Sequence, residues 1–401
     1  MLSNASAPPA STVNIWLLSL ASALSPFGMV VVVPTLGELA RSFDISFGEA
    51  QFLISAYLFG LGVAQPFSGL LCDRLGRRPV LLGGFTLFVV ASLACAFADN
   101  FSLLILMRFL QAVGVSVGTV ATRAIVRDTH DEAGTARALA TIAAAMGIAP
   151  VVAPIIGGLL GELAGPQAVF LASAALGGLV WLSILGRLTE TRPPGVVAAS
   201  KQANLLADYR QLLSSRLFMG YTLMFGFVQG GFFCFLAVGA AVFETDLDMG
   251  PRGFGLVWGL MALAYVAGAS LANPLTARMG MRRVIYLGMG LTFVAGWGTY
   301  LAVLVFGVHF YSLVPMLALL TAASGLVIPG SMAGAVSYRP EIAGTSSGLS
   351  SALGLVLSGT FSIAAGSLYS GSFLPVAMLM GVAASLTALT GWMIRPIRTA
   401  A

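Results

Sequence analysis

A chain of 401 residues that is 58% apolar and only 9% charged cannot cover itself with a water-facing surface. Ordinary soluble domains carry roughly 25% charged residues. A mean hydropathy of +0.95 points to a membrane protein of many passes, and the net charge of +5 does not indicate nucleic acid, because the bases stand singly or in short clusters between apolar stretches.

The N-terminus, Met1 to Asn14, contains no Lys or Arg, so no cleaved signal peptide is expected and the first apolar stretch should remain in the protein. A hydrocarbon core of roughly 30 Å needs about 20 apolar residues per helix. That ruler predicts twelve spans: Val13–Leu36, Phe47–Leu71, Pro79–Phe97, Phe101–Val126, Ala136–Leu160, Gln167–Leu188, Leu217–Val242, Gly253–Thr276, Val284–Phe306, Ser312–Met332, Gly344–Tyr369 and Phe373–Ile394. The even-numbered connections and the C-terminal tail hold 17 of the 20 bases, including Lys201, Arg395 and Arg398, whereas the opposite side holds Arg41 and Arg252. By the positive-inside rule the even loops and both termini are expected in the cytoplasm. The 15 acids show no such bias.

The longest connection contains Thr191-Arg-Pro-Pro-Gly195 and divides the chain. The expected fold is an all-α membrane protein of two pseudo-symmetric six-helix halves, 1–188 and 216–401, joined by a cytoplasmic linker, 189–215. A repeat supports the division: Asp73-Arg-Leu-Gly-Arg-Arg78 follows span two, and Ala277-Arg-Met-Gly-Met-Arg282 follows span eight, 204 positions later. Two parallel six-span halves are a transporter architecture, with the ligand site between them.

Particular residues stand out against this background. In Gly69-Leu-Leu-Cys-Asp73-Arg74-Leu-Gly76-Arg77-Arg78 the glycines allow a tight turn and close helix approach, and the carboxylate can sit at a neighbouring helix's positive end. Arg108 is the only ionisable residue well inside a span, where a charge costs at least ~2.5–3.5 kcal/mol. It should face an aqueous cavity, a partner, or backbone carbonyls at a kink. Helical spacing groups Arg108 with Gln111, Gly118 and Thr122, and pairs Gly114 with Gly118 as a G-x-x-x-G contact. Span five carries Pro150 and Pro154, which interrupt its backbone bonding, and Gly157-Gly158, which permit close packing. Span seven places Tyr221, Phe225, Gln229, Phe232 and Phe233 on approximately one face, and Trp258 and Tyr265 are further candidates for a substrate cavity.

The loop after span two resembles the signature of the major facilitator superfamily, and the Arg108-x-x-Gln111-x-x-Gly114 pattern is similar to that family's span-four motif. Pro150 to Gly158 resembles its antiporter signature in the form usual for the Bcr/CflA drug-resistance branch, as does Arg123-Ala-Ile-Val-Arg-Asp128. The resemblance implies a proton-linked exporter of a moderately hydrophobic drug or natural product, such as a metallophore, in a bacterial inner membrane. It implies that Asp73 latches onto span eleven in the outward-facing state, that a loop arginine pairs with Asp128, and that Arg108 serves proton coupling. One position departs from the pattern. Val30 stands where that branch usually carries an aspartate four residues before a proline, here Pro34. Every acid lies toward a helix end, with Glu38, Glu49 and Glu162 nearest the membrane, and Glu49 is the candidate to reach toward Arg108.

The expected partners are a small-molecule substrate, protons and the lipid bilayer, and the protein is expected to be monomeric. A facilitator or uptake carrier is the second transport reading, which the missing acid encourages. A polytopic enzyme would need a catalytic constellation, and a primary pump a P-loop; the sequence displays neither. Cys72, Cys95, Cys234, His130 and His309 are too isolated for a metal site, so no metal or cofactor is expected.

Overall fold

A computed structural model describes residues 13–192, 205–339 and 342–394. Lys201, Arg395, Arg398, both termini and residues 193–204 of the predicted linker lie outside the described residues.

Asn14 starts the first span by accepting the Trp16 and Leu17 amides at 2.9 and 3.3 Å. The helix Ile15–Val30 then stops. Pro34 has no amide hydrogen and clashes with a continuing helix. The chain crosses the break in a short 3-10 turn, Val33–Thr35, and resumes as Leu36–Ser42. The first span is therefore longer than Val13–Leu36 and broken. Span two is the turn Phe47–Ala50 followed by the helix Phe52–Leu75. Spans three and four are Arg77–Ala96 and Phe101–Thr129. Spans five and six form one helical run, Glu132–Arg187, which turns at Gly165 (φ +77°) just before Pro166.

A short helix, Leu205–Ser214, precedes span seven, Arg216–Thr245. Spans eight to twelve are Pro251–Met279, Met281–Phe306, Phe310–Ser337, Ala343–Leu368 and Leu374–Met393. Among the described residues eleven helical segments are long and apolar enough to cross a bilayer, and one of them, Arg137–Arg187, is 51 residues long. At 1.5 Å per residue that segment is far too long for one pass. Split at Gly165, it makes the twelfth.

The internal repeat is visible in the backbone. Gly76 (φ +108°) and Gly280 (φ +85°) each let one span turn directly into the next, a conformation closed to most side chains. Spans one to six pack among themselves, as do seven to twelve. The two groups meet along two seams, span two against span eleven and span five against span eight.

Both seams loosen from one end to the other. A methyl on Gly48 would lie 2.6 Å from the Gly366 carbonyl, one on Gly62 2.9 Å from the Val356 side chain, and one on Gly348 3.8 Å from Pro66. On the other seam the corresponding distances are 2.6 Å from Gly255 to the Pro154 carbonyl, 3.4 Å from Gly259 to Ile155, and 3.8 Å from Gly147 to Val266. The loose end is the one that carries Asp73, and we call it the motif end. At the far end Arg41 also reaches across to Glu244, at 3.0 Å.

Candidate functional site at the break in the first span

Breaking a helix orphans its last carbonyls, and in a membrane interior no water satisfies them. Here Arg108, on span four, does so. Its Nη1 donates to the Gly28 carbonyl at 2.9 Å and to Gln111 Oε1 at 2.6 Å. Nη2 reaches the Met29 carbonyl at 3.5 Å, and Nε the Leu53 carbonyl of span two at 3.3 Å. The guanidinium lies 4.4 Å from the centre of the Tyr57 ring, whose hydroxyl donates to the Ser25 carbonyl at 3.0 Å. Arg108 is 1% exposed and its fork is almost fully used.

The negative end of a helix dipole thus stands where a carboxylate would otherwise neutralise the arginine. Val30, also 1% exposed, is the last residue of that helix. Among the three sequence alternatives for Arg108, the carbonyl-bonded kink is what forms. Glu49 does not reach it. That carboxylate accepts from the Ser46 amide and hydroxyl, each at 2.8 Å, in a capping box at the far end of span two.

Below the arginine, span four lies directly on span one. Gln111 Nε2 donates to Ser92 of span three at 2.7 Å, and the Thr122 and Ser22 hydroxyls meet at 2.7 Å. Gly118 abuts the Ala21 carbonyl, so a side chain there would separate the helices. Gly114 faces elsewhere, with any methyl 2.6 Å from the Gly84 carbonyl of span three. The predicted G-x-x-x-G pair therefore serves two neighbours, because span four sits in the crevice between spans one and three.

The other wall of the break is span five. Gly157 abuts the Val31 carbonyl, Gly158 is buried beside it, and Pro154 turns its carbonyl toward Gly255 of span eight; Pro150 is half-buried a turn away. One helix therefore touches the break and the seam between the halves.

At the motif end Arg77 is buried and joins three acceptors: Nε to Asp128 at 2.9 Å, Nη1 to Asp73 at 2.9 Å and to the Cys72 carbonyl at 2.8 Å. Gly69 faces Val120 of span four at 3.8 Å, and Arg74 is exposed. Asp73 has no described contact with span eleven, and residues 340–341 just before that helix lie outside the described residues. Glu190, which sequence reasoning missed, completes the cluster. Its carboxylate accepts the amides of Arg77 (2.9 Å), Arg78 (3.2 Å), Thr191 (3.1 Å) and Arg192 (2.9 Å). Partial burial pushes its pKa up, but the four amide bonds outweigh that and hold it below the ordinary glutamate value. Arg192 then donates to the Arg74 carbonyl at 2.7 Å and Arg78 to the Leu185 carbonyl at 3.0 Å, tying the start of the linker to the loop. An acid directly after span six, opposite a helix N-terminus, is the signal that could have found it.

The aromatic residues of span seven do not form one wall. Tyr221 packs over Gly334 and Phe225 over Gly354, both as buried packing contacts. A stripe on a 30-residue helix meets several neighbours along its length. Phe232, Phe233 and Trp258 stay together: the Phe232 and Trp258 rings are 5.0 Å apart, and Trp258 stacks on Phe235 at 6.1 Å. Gln229 and Tyr265 are half-buried nearby in sequence on the same two helices.

A family model described as Major Facilitator Superfamily matches residues 18–363. The chain belongs to the major facilitator superfamily. It is a membrane transporter by family, not an enzyme. It is 26% identical over 339 residues to Multidrug resistance protein D of Escherichia coli, covering 83% of each chain. It is 30% identical to a chloramphenicol resistance protein of Pseudomonas aeruginosa, covering 69% of this chain and 67% of that one. It is also 30% identical to the uncharacterized MFS-type transporter YdgK of Bacillus subtilis, over 63% of this chain and 64% of that one. The fold is that of a D-xylose–proton symporter, with a TM-score of 0.74 at 15% identity and 95% of this chain covered.

Proposed function

We propose that this superfamily member is a secondary transporter that exports moderately hydrophobic small molecules, a drug or a natural product, by alternating access. The observation that carries the reading is the broken first span, gripped by Arg108 on one side and by the antiporter-like span five on the other. Span five also forms a seam between the halves, so a movement of that seam is transmitted to the break. Among the described residues no Asp or Glu is buried, which suits an uncharged or weakly polar cargo better than a small cation. Phe232 and Gln229, both half-buried on span seven, are our candidates for contact with such a cargo, with the buried Trp258 packed behind Phe232. The names of the two resistance relatives agree with this substrate class.

We place the protein in the bacterial cytoplasmic membrane as a monomer of two six-span halves, 1–188 and 216–401, with the motif end and both termini in the cytoplasm. The tighter far end supports an inward-facing form. Asp73, paired here with Arg77, would exchange partners with span eleven in the opposite form. Coupling to protons is the finer part of the reading. With Val30 at the usual acid position and Arg108 bonded to backbone carbonyls, no carboxylate stands beside the arginine among the described residues, so a proton path would use an acid nearer a helix end. A facilitator without antiport is the second reading, and it rests on the same observation.

The deciding measurement is efflux of an uncharged fluorescent hydrophobic probe from proteoliposomes, with and without an imposed pH gradient. Flux above empty liposomes supports transport, and its response to the gradient separates exporter from facilitator. Flux equal to that of empty liposomes across a panel of such probes sinks the substrate class.

A further inference from the structure

On the outer surface between spans seven and twelve, at the motif end, an open groove of about 470 Å³ is lined by Leu223, Phe227, Leu386 and Leu389. Arg216 and Trp392 stand at its mouth. The guanidinium lies 3.9 Å over the indole, and Arg216 Nη2 donates to the Trp392 carbonyl at 2.7 Å. That bond and stack hold the fork in place, while its remaining N–H groups have no described protein acceptor. Leu389 and Trp392 are 67% and 63% exposed, so the groove opens away from the bundle, where the bilayer lies.

We propose that this groove holds one phospholipid, its phosphate on Arg216 and an acyl chain between spans seven and twelve. Three features select that occupant. A planar guanidinium matches phosphate oxygens two at a time, and a tryptophan at the head-group level is a membrane-interface device. The third is depth: from Arg216 to Phe227 is eleven residues, or roughly 16 Å of helix, half of a hydrocarbon core of roughly 30 Å. The groove therefore has the depth of one leaflet. Free phosphate would meet the arginine but leave the apolar walls uncovered, and detergent would cover the walls but leave the charge unmet. The guanidinium charge favours a head group of net negative charge, so phosphatidylglycerol should be retained better than phosphatidylcholine.

The test uses the full chain, purified and delipidated in detergent. Phosphatidylglycerol carrying a diazirine in its acyl chain is added to the wild type, photolysed, and the labelled peptides are mapped. Label concentrated on 216–227 and 386–393 is expected; label spread evenly round the lipid-facing perimeter overturns the proposal. In parallel, lipid retention is titrated by native mass spectrometry for wild type, Arg216→Gln and Leu386→Trp. One phosphatidylglycerol should be held about tenfold less well by Arg216→Gln, the scale of one charge-assisted contact. Leu386→Trp, which fills the groove, should release it too. Inorganic phosphate at the same concentrations should not displace the lipid. Equal retention by all three proteins, or displacement by phosphate alone, overturns the proposal. Mapping on the wild type settles the site even where a variant fails to fold.

Discussion

The Arg108 Nη1 atom lies 2.9 Å from the carbonyl oxygen of Gly28, so a side chain of span four completes the end of a helix in span one. A charge that would be costly in a membrane and carbonyls that would be orphaned there remove each other's penalty. The pairing explains how the chain keeps Arg108 without an acid beside it.

Arg108→Ala should reduce transport to background. It strands the Gly28 and Met29 carbonyls at the helix end, at about 1–3 kcal/mol for each buried group left unpaired. Arg108→Lys should retain less than a tenth of the flux, because one compact ammonium cannot reproduce a fork spanning three helices. Flux in proteoliposomes at matched protein density checks both. A lysine variant as active as wild type would mean that charge alone suffices.

Val30→Asp places a carboxylate at the break, within the environment that Arg108 already neutralises. The expected outcome is transport that rises with an imposed pH gradient more steeply than in the wild type. Side-by-side flux at several gradients measures the slope, and an unchanged slope would show that the position has no influence on coupling.

Asp73→Asn should cut transport several-fold while leaving the melting temperature nearly unchanged. Its side chain is 41% exposed, and pairs of that kind are worth roughly 0–1 kcal/mol. Arg77→Gln should instead destabilise the fold measurably more than Asp73→Asn, since Arg77 is buried and Asp128, only 12% exposed, would lose its close cationic partner. Thermal melts in detergent alongside flux separate the two effects.

Glu190→Gln addresses the acid limb of stability. The folded-state pKa lies below the ordinary 4.5, so the contribution of this carboxylate is whole above pH 4.5 and is lost as pH falls through the lowered value. Between pH 6 and pH 3 the wild-type melting temperature should therefore fall more steeply than that of Glu190→Gln. Parallel curves would assign the acid sensitivity elsewhere.

Gln51 is fully buried where span two meets Gly366 at the far end, and neither of its amide atoms has a protein partner. Replacing it with leucine removes an unmet polar group from the closed seam, worth about 1–3 kcal/mol. Gln51→Leu should melt at a higher temperature and transport more slowly. Faster transport with a lower melting temperature would mean that the amide stabilises the closed seam through contacts other than hydrogen bonds.

Much of the fold can be read from residue order. Apolar runs of bilayer length give the passes, and Gly76 and Gly280 give matching turns 204 positions apart, whereas the break at Pro34 lies inside a span read as continuous. The pairing of Arg108 with Gln111 follows from helical spacing. What escapes is contact between helices distant in sequence. Nothing local says that Tyr57 lies under Arg108, or that Glu190 reaches back 113 residues to the Arg77 amide. Gly114 and Gly118 misled for the same reason: spacing places them close on one helix, but only packing decides that they answer to different neighbours. The span-seven aromatics show the converse, because a shared face on a long helix is not a shared environment.

The graded seams make the molecule its own gauge. Of the glycines that span eight sets against span five, alanine should be tolerated least at Gly255 and more readily at Gly259, and on the facing helix most readily at Gly147. That order describes one arrangement of the two halves only. Once the halves rock the other way, the intolerant position must migrate to the opposite end. A ligand or lipid that locks the transporter would thus be classified by the slope of an alanine profile, without any view of the cavity itself.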